Sequence, residues 1–333
     1  MSLSQAVHPD HATAFWTLAP GRGALCRQEL PAPVAGDVRV RALASGISRG
    51  TESLVFQGRV PAELAAIMRC PFQEGEFPGP VKYGYALVGM VEQGPAGLLG
   101  RRVFALHPHQ DVALLPAESC RLVPDAVPTE RAVLAANMET ALNILWDGGA
   151  APGQRIAVVG GGVVGGLTAW LAACLPGAEV TLVDIDPARA ALADALGAGF
   201  ALPDDAPDGC DLVIHTSATG DGLATALRLA GVEAVLVEAS WYGDRPVTVP
   251  LGSGFHPNRL RIVSSQVGMV SPAFRPRWTL SRRLEKALSL LTDPAADHLL
   301  GPRLDFSDLP AAMAGLHDLP FGCPVVRYPR PNP

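Results

Sequence analysis

No two cysteines of this chain stand two residues apart: the six present, Cys26, Cys70, Cys120, Cys174, Cys210 and Cys323, are scattered over 333 residues. The CxxC pairs from which structural zinc sites are built are therefore missing, and reduced, mostly buried thiols are expected. No apolar run reaches the roughly 18 to 20 residues that cross a bilayer. The N-terminal stretch MSLSQAVHPDHATAF has no basic segment followed by an apolar one, so no signal peptide is expected and a cytoplasmic location follows by default. Basic blocks are absent too. With 26 Lys and Arg against 32 Asp and Glu, the chain carries no electrostatic footprint for nucleic acid or an anionic membrane. Charged residues make up only 17% and hydrophobic ones 48%, which excludes a disordered chain and suits a two-domain enzyme acting on a small molecule.

Residues 14 to 122 hold short alternating or apolar runs (DVRVRALAS, ALVGMVEQG, RRVFALHPHQ) between Gly and Pro turn signals, and read as a β-rich domain. From Pro128 the apolar residues of PTERAVLAANMETALNILWDGG recur at three- and four-residue spacing until Gly148, the pattern of a helix. Strand and helix then alternate through RIAVVG, VVGGLTAWLAACL, EVTLVDID, PARAALADALGA, DLVIHTSAT, GLATALRLA, EAVLVEAS and RIVSSQVG. Parallel strands need long crossovers, so this order predicts a doubly wound parallel sheet over 125–265. The tail, with the helix TLSRRLEKALSLLTD and a last strand near PVVRYP, is assigned back to the first domain, which then comprises 1–124 and 266–333.

Directly after the strand RIAVV, the glycines Gly160, Gly162 and Gly165 fit GxGxxG at the mouth of a helix that opens with Val163 and Val164. The first permits a tight turn, the second lets backbone approach a pyrophosphate, and the third lets helix lie close on strand. Asp184 ends the next strand, about 20 residues on, where a carboxylate accepts hydrogen bonds from an adenosine ribose and repels the 2′-phosphate of NADP. NAD is therefore favoured over NADP. Arg189, the one cation nearby in sequence, is expected to face solvent. Ligands in such sheets sit at the carboxyl ends of the strands, which nominates Thr216, Ser217, Ala239, Ser240 and Gln266 as further cofactor contacts.

A β-rich first domain, this Rossmann unit and a returning tail resemble the medium-chain dehydrogenase/reductase superfamily across nearly the whole chain. The resemblance implies an α/β fold in which the Rossmann sheet is inserted in a GroES-like catalytic domain. The segment ASGISRGTES is similar to the stretch that supplies a zinc-ligating cysteine in zinc alcohol dehydrogenases, with Ser48 in that place. Gly84-Tyr85-Ala86 resembles the family's Gly-His-Glu, and the third ligand position falls on Ala136. Catalytic zinc requires three N, S or O protein ligands, a set that Ser48, Tyr85 and Ala136 do not make, so no metal is expected. His107 and His109 on one loop lack a third partner and read as surface or hydrogen-bonding groups. The pattern ISxGTE at Ile47–Glu52 resembles the branch that contains bacteriochlorophyllide dehydrogenases. The long stretch Phe56–Pro80, with PAELAAIMR, is either an extra helix over the substrate cleft or a surface insertion.

Without zinc, side chains must assist the substrate oxygen during hydride transfer. The resemblance implies that Tyr85 and Ser48 point at the nicotinamide, which makes Tyr85 the first candidate acid, against the alternative of a core tyrosine with a satisfied hydroxyl. Lys82 is a candidate for lowering a phenol pKa or binding an anion, and Glu139 for relaying a proton beside Thr140, which the resemblance places near the nicotinamide. A mid-helix glutamate is as readily an ion-paired one. The expected activity is NAD-dependent oxidation of an alcohol or reduction of a carbonyl. Reduction of an activated carbon–carbon double bond and non-catalytic NAD binding are the alternatives. A homodimer through the edge of the Rossmann sheet is implied by resemblance.

Overall fold

The computed structural model describes residues 11–329, so the first ten residues of the stretch read as lacking a leader lie outside it. Two compact units divide the described residues: 11–123, 303–319 and 325–329 form one, and 124–302 with 320–324 the other. Among the described residues no helix is long and apolar enough to cross a membrane.

The second unit is built on a six-stranded sheet in the order Gly199–Ala201, Glu179–Val183, Arg155–Val159, Cys210–His215, Ala230–Glu238 and Arg261–Ser264. Every neighbouring pair is parallel. The strand order reverses at Arg155–Val159, so the carboxyl ends of Glu179–Val183 and Cys210–His215 flank a crevice above it, the usual ligand position of an open α/β sheet. Helices Val163–Ala173, Arg189–Ala195 and Gly220–Leu229 supply the crossovers. Strand residues such as Ile156, Val158, Leu182, Val213 and Leu236 are almost wholly buried, the continuous apolar type expected where helices cover both faces of a sheet.

The apolar pattern from Pro128 is realised as two helices, Thr129–Ala132 and Ala135–Gly148, the second ended by Gly149 in the left-handed region. Gly148 is there for clearance, since a Cβ on it would come within 2.9 Å of Leu212 and Val237. Residues 266–302, which the sequence reading returned to the first domain, stay with the second unit. The reason is polar as much as apolar. Helix Leu280–Leu290 carries Arg283, fully buried, whose Nε donates to Glu139 Oε1 at 3.0 Å and whose other nitrogens reach Asn143 Oδ1 and the carbonyls of Val267 and Met269. Glu139, Asn143 and Asp147 stand four residues apart on helix Ala135–Gly148, and this stripe ties down the 265–271 loop through Ser265 and Ser271.

In the first unit a four-stranded sheet, ordered Arg22–Glu29, His11–Ala19, Val81–Lys82, Glu74–Gly75, accompanies a seven-stranded one. The latter runs Leu300–Asp305, Cys323–Arg327, Asp37–Gly46, Leu87–Gln93, Arg102–Ala105, Arg121–Leu122, with Val112–Pro116 paired to Asp37–Gly46. Its core gathers Val38, Val40, Leu87, Val103, Leu115 and Val326. The segment PAELAAIMR forms a single 3-10 turn at Ala62–Leu64, not an extra helix, and leaves Ile67 exposed. All six cysteines are free; Cys70, Cys120, Cys210 and Cys323 are buried, Cys174 is exposed.

Candidate functional site

Gly160 takes φ +110°, and a Cβ there would strike the Ser217 amide at 2.7 Å. At Gly165 a Cβ would lie 1.9 Å from the Gly160 carbonyl oxygen, so helix Val163–Ala173 can start this close to the strand only with glycine. Gly162 has open space where its Cβ would be, which leaves room for a pyrophosphate over the helix N-terminus. Thr216 Oγ1 donates to Gly160 O at 2.9 Å and fastens the turn to the end of strand Cys210–His215.

Asp184 does two jobs for the backbone: its Oδ2 accepts from Gly161 N at 2.6 Å and its Oδ1 from Asp186 N at 2.9 Å. Each carboxylate oxygen keeps a lone pair for a further donor. Arg189 does not simply face solvent. Its guanidinium lies over the Phe321 ring at 3.8 Å, pairs with Asp186, and its methylenes sit beside Gly161. The two flanking valines, Val163 and Val164, open the helix, and Val164 O accepts from Thr168. Thr140 Oγ1 is spent on Ala136 O one turn back, and exposed Gln266 folds onto its own loop by accepting from Gly268 N.

Ser217 and Ser240, nominated from the sequence, belong to a polar group at the sheet's carboxyl edge whose centre, His215 with Glu238, sequence reasoning missed. His215, fully buried, meets Glu238 Oε2 through Nδ1 at 2.8 Å and Ser217 Oγ through Nε2 at 2.6 Å. Ser240 N and Tyr242 OH donate to the same carboxylate, at 2.8 and 2.9 Å. Ala239 N closes the strand ends by donating to His215 O.

In the first unit Ser48 caps helix Arg49–Phe56, with its amide donating to Glu52 Oε1 at 2.8 Å. The Tyr85 hydroxyl hydrogen-bonds the hydroxyls of Ser48 and Thr51, while burial, reinforced by the charge of Glu52, holds the phenol far above its ordinary pKa. Lys82 does nothing to lower it: its ammonium is buried against Glu74 and Gln110, and burial depresses its own pKa. Of the two expectations for His109, surface or hydrogen-bonding, the structure shows the second, with the ring buried. It bridges Glu52 Oε2 at 2.8 Å and Ser45 Oγ at 2.7 Å, and Ser45 continues to Tyr328 OH at 2.9 Å, so four buried groups form one chain. His107 is also buried, its pKa pushed down to about 3 by desolvation. Among the described residues no three His, Cys, Asp or Glu side chains are grouped to hold a metal ion. Two hydrogen-bonded hydroxyls, Ser48 and Tyr85, do not fit zinc, which takes thiolate, imidazole or carboxylate.

All four tyrosines, Tyr83, Tyr85, Tyr242 and Tyr328, are held above the usual phenol range, first by burial and then by neighbouring charge. A raised folded-state pKa means that the native state keeps protons the unfolded chain releases, so stability falls as pH rises past about 10. Absorbance of tyrosinate should accordingly stay flat near pH 10 and rise with unfolding at higher pH. A free-tyrosine titration in the folded protein would contradict this burial.

No family model and no curated protein sequence matches the chain. Solved structures do. Similar to it are L-idonate 5-dehydrogenase of Escherichia coli K-12 MG1655 (14% identity, TM-score 0.78, 95% of this chain and 98% of that one), a Sinorhizobium meliloti 1021 protein bound to NADP (18%, 0.76, 95% and 99%), and a short chain alcohol dehydrogenase of Escherichia coli CFT073 complexed with NADH (19%, 0.73, 96% and 100%). The chain has the medium-chain dehydrogenase/reductase fold. Within that fold the glycine turn, Asp184 and the carboxyl edge belong to the Rossmann unit, and Ser48 with Tyr85 to the β-rich one. The two nucleotide-bound neighbours hold different cofactors, so the choice between NAD and NADP rests on the residues of this chain.

Proposed function

We propose that the protein is an NAD(H)-dependent oxidoreductase that interconverts an alcohol and a carbonyl compound without zinc. The observation that carries this reading is the built nucleotide turn: Gly160, Gly162 and Gly165 with Asp184 tied to Gly161, in a fold shared with alcohol and polyol dehydrogenases. When bound, the nicotinamide supplies or accepts the hydride. Gly162 and the amides of Val163 and Val164 would hold its pyrophosphate, Asp184 its adenosine ribose, and Thr216, Ser217, Ala239 and Ser240 would border its other half. Tyr85, supported by Ser48, gives the substrate oxygen by a hydrogen bond the polarisation that zinc gives elsewhere by coordination.

Two outcomes test the cofactor and metal assignments. NADH should bind much more tightly than NADPH, and Asp184→Ala should lower NADH affinity by roughly tenfold or more, the worth of hydrogen bonds to a charged group, while narrowing the gap. Equal affinity of the unmutated protein for both nucleotides, measured by fluorescence titration, would overturn the reading of Asp184. Elemental analysis should find no stoichiometric zinc, and activity on a broad alcohol and carbonyl panel should persist in chelator; one zinc per chain refutes the metal-free site. Exposed Ile262 on the edge strand Arg261–Ser264 suits the homodimer reading.

A further inference from the structure

The group around His215 is more than a set of contacts, because its hydrogen bonds run in one direction. A carboxylate only accepts, so Nδ1 of a neutral His215 must carry the proton that binds Glu238, which leaves Nε2 as an acceptor for the Ser217 hydroxyl. Thr219 Oγ1 already accepts from Gly222 N, and its own proton is free to go to Ser217 Oγ at 3.0 Å. The Tyr242 hydroxyl and the Ser240 amide send their protons to Glu238 from the other side. Every proton in the circuit points toward Glu238. Ser217 Oγ is thereby left with one unused lone pair and no proton to offer.

The surroundings are shaped for that arrangement. A Cβ on Gly222 would lie 2.0 Å from Ser217 Oγ and 2.8 Å from His215 Nε2, so this helix residue is glycine where alanine would favour the helix. The backbone of Ser217 abuts Gly160, on the Cys210–His215 side of the point where strand order reverses, while Asp184 lies on the opposite side. A dinucleotide laid across the reversal with its adenosine on Asp184 puts its nicotinamide half over Ser217.

Resting on that cofactor reading, we propose that His215 and Glu238 are positioning residues that lock Ser217 as an acceptor-only contact for a hydroxyl of the nicotinamide ribose. A ribose hydroxyl supplies the matching donor; a phosphate or carboxylate oxygen does not.

The test uses the full-length protein at pH 8, NADH, and NADH analogues deoxygenated at the 2′ or 3′ position of the nicotinamide ribose. The unmutated protein should bind NADH roughly five- to tenfold more tightly than one of the analogues, the worth of one neutral hydrogen bond. Ser217→Ala should weaken NADH by that factor and leave that analogue's affinity unchanged, so discrimination vanishes. Glu238→Gln keeps the shape but lets its amide donate to Nδ1, which turns the proton to Nε2, a switch that nitrogen NMR of His215 should show, while unaltered thermal stability in Ser217→Ala is the control for folding. Retained discrimination in Ser217→Ala overturns the proposal. So does a nitrogen NMR spectrum of the free protein that shows His215 protonated at Nε2, a result independent of nucleotide. If the unmutated protein binds no NADH at any concentration, the cofactor reading itself falls, and this role for Ser217 with it.

Discussion

Tyr85→Phe should lower the rate of hydride transfer by about 100-fold, the usual contribution of a positioned acid, while NADH affinity hardly changes. The phenol has its pKa driven up by burial and by Glu52, so it stays protonated through the neutral range and acts by donating a hydrogen bond. The pH–rate profile should therefore show no loss of activity from tyrosine ionisation near pH 10 as long as the fold persists. Ser48→Ala should have a smaller effect of the same kind, because serine is too weak an acid to give up a proton unaided. Near-normal turnover in Tyr85→Phe together with inactive Glu139→Gln would move the proton path to the helix Ala135–Gly148.

Glu139→Ala should instead destabilise the second unit by about 3–5 kcal/mol, the cost of stranding one member of a buried ion pair. Arg283 and Glu139 are both almost fully buried, so the guanidinium left behind has only Asn143 and two carbonyls to hold it. Replacing both, as in Glu139→Leu with Arg283→Met, should recover most of the loss, since a well-packed apolar pair of similar volume is often neutral against an ion pair. Urea unfolding of the two variants decides the matter. Equal loss in single and double variants would mean that the pair is not the unit of stabilisation.

The glycine turn and Asp184 were legible because their signals are compact in sequence: Gly160 and Gly165 answer clashes with backbone of the neighbouring strand end and of the turn itself, and Gly162 leaves space. The parallel sheet was legible from the alternation of elements. Groups assembled over long distances were not. Glu52, His109, Ser45 and Tyr328 are joined across separations of 57, 64 and 283 residues, and nothing in their neighbourhoods announces the partners. Arg283 is similar, 144 residues from Glu139, although the polar steps Glu139, Asn143 and Asp147 on an otherwise apolar helix were a readable sign that something charged packs there. His215 followed an apolar strand run and looked like its last core residue; its pairing with Glu238 needed the parallel register of the two strands.

The strand Cys323–Arg327 lies beside Asp37–Gly46 inside the first unit's larger sheet, and Tyr328 closes the hydrogen-bond chain that starts at Glu52. Synthesis is directional, so Ser45 is made 283 residues before its partner Tyr328. The unbroken stretch 124–302 can finish its sheet while the ribosome is still at work. Until then Ala44–Gly46, beyond the part of the strand that Val112–Pro116 pairs, stay an unpaired edge, the kind of surface that other chains add to. A nascent chain stalled shortly before Cys323 would carry that open edge and lack the Tyr328 bond to Ser45.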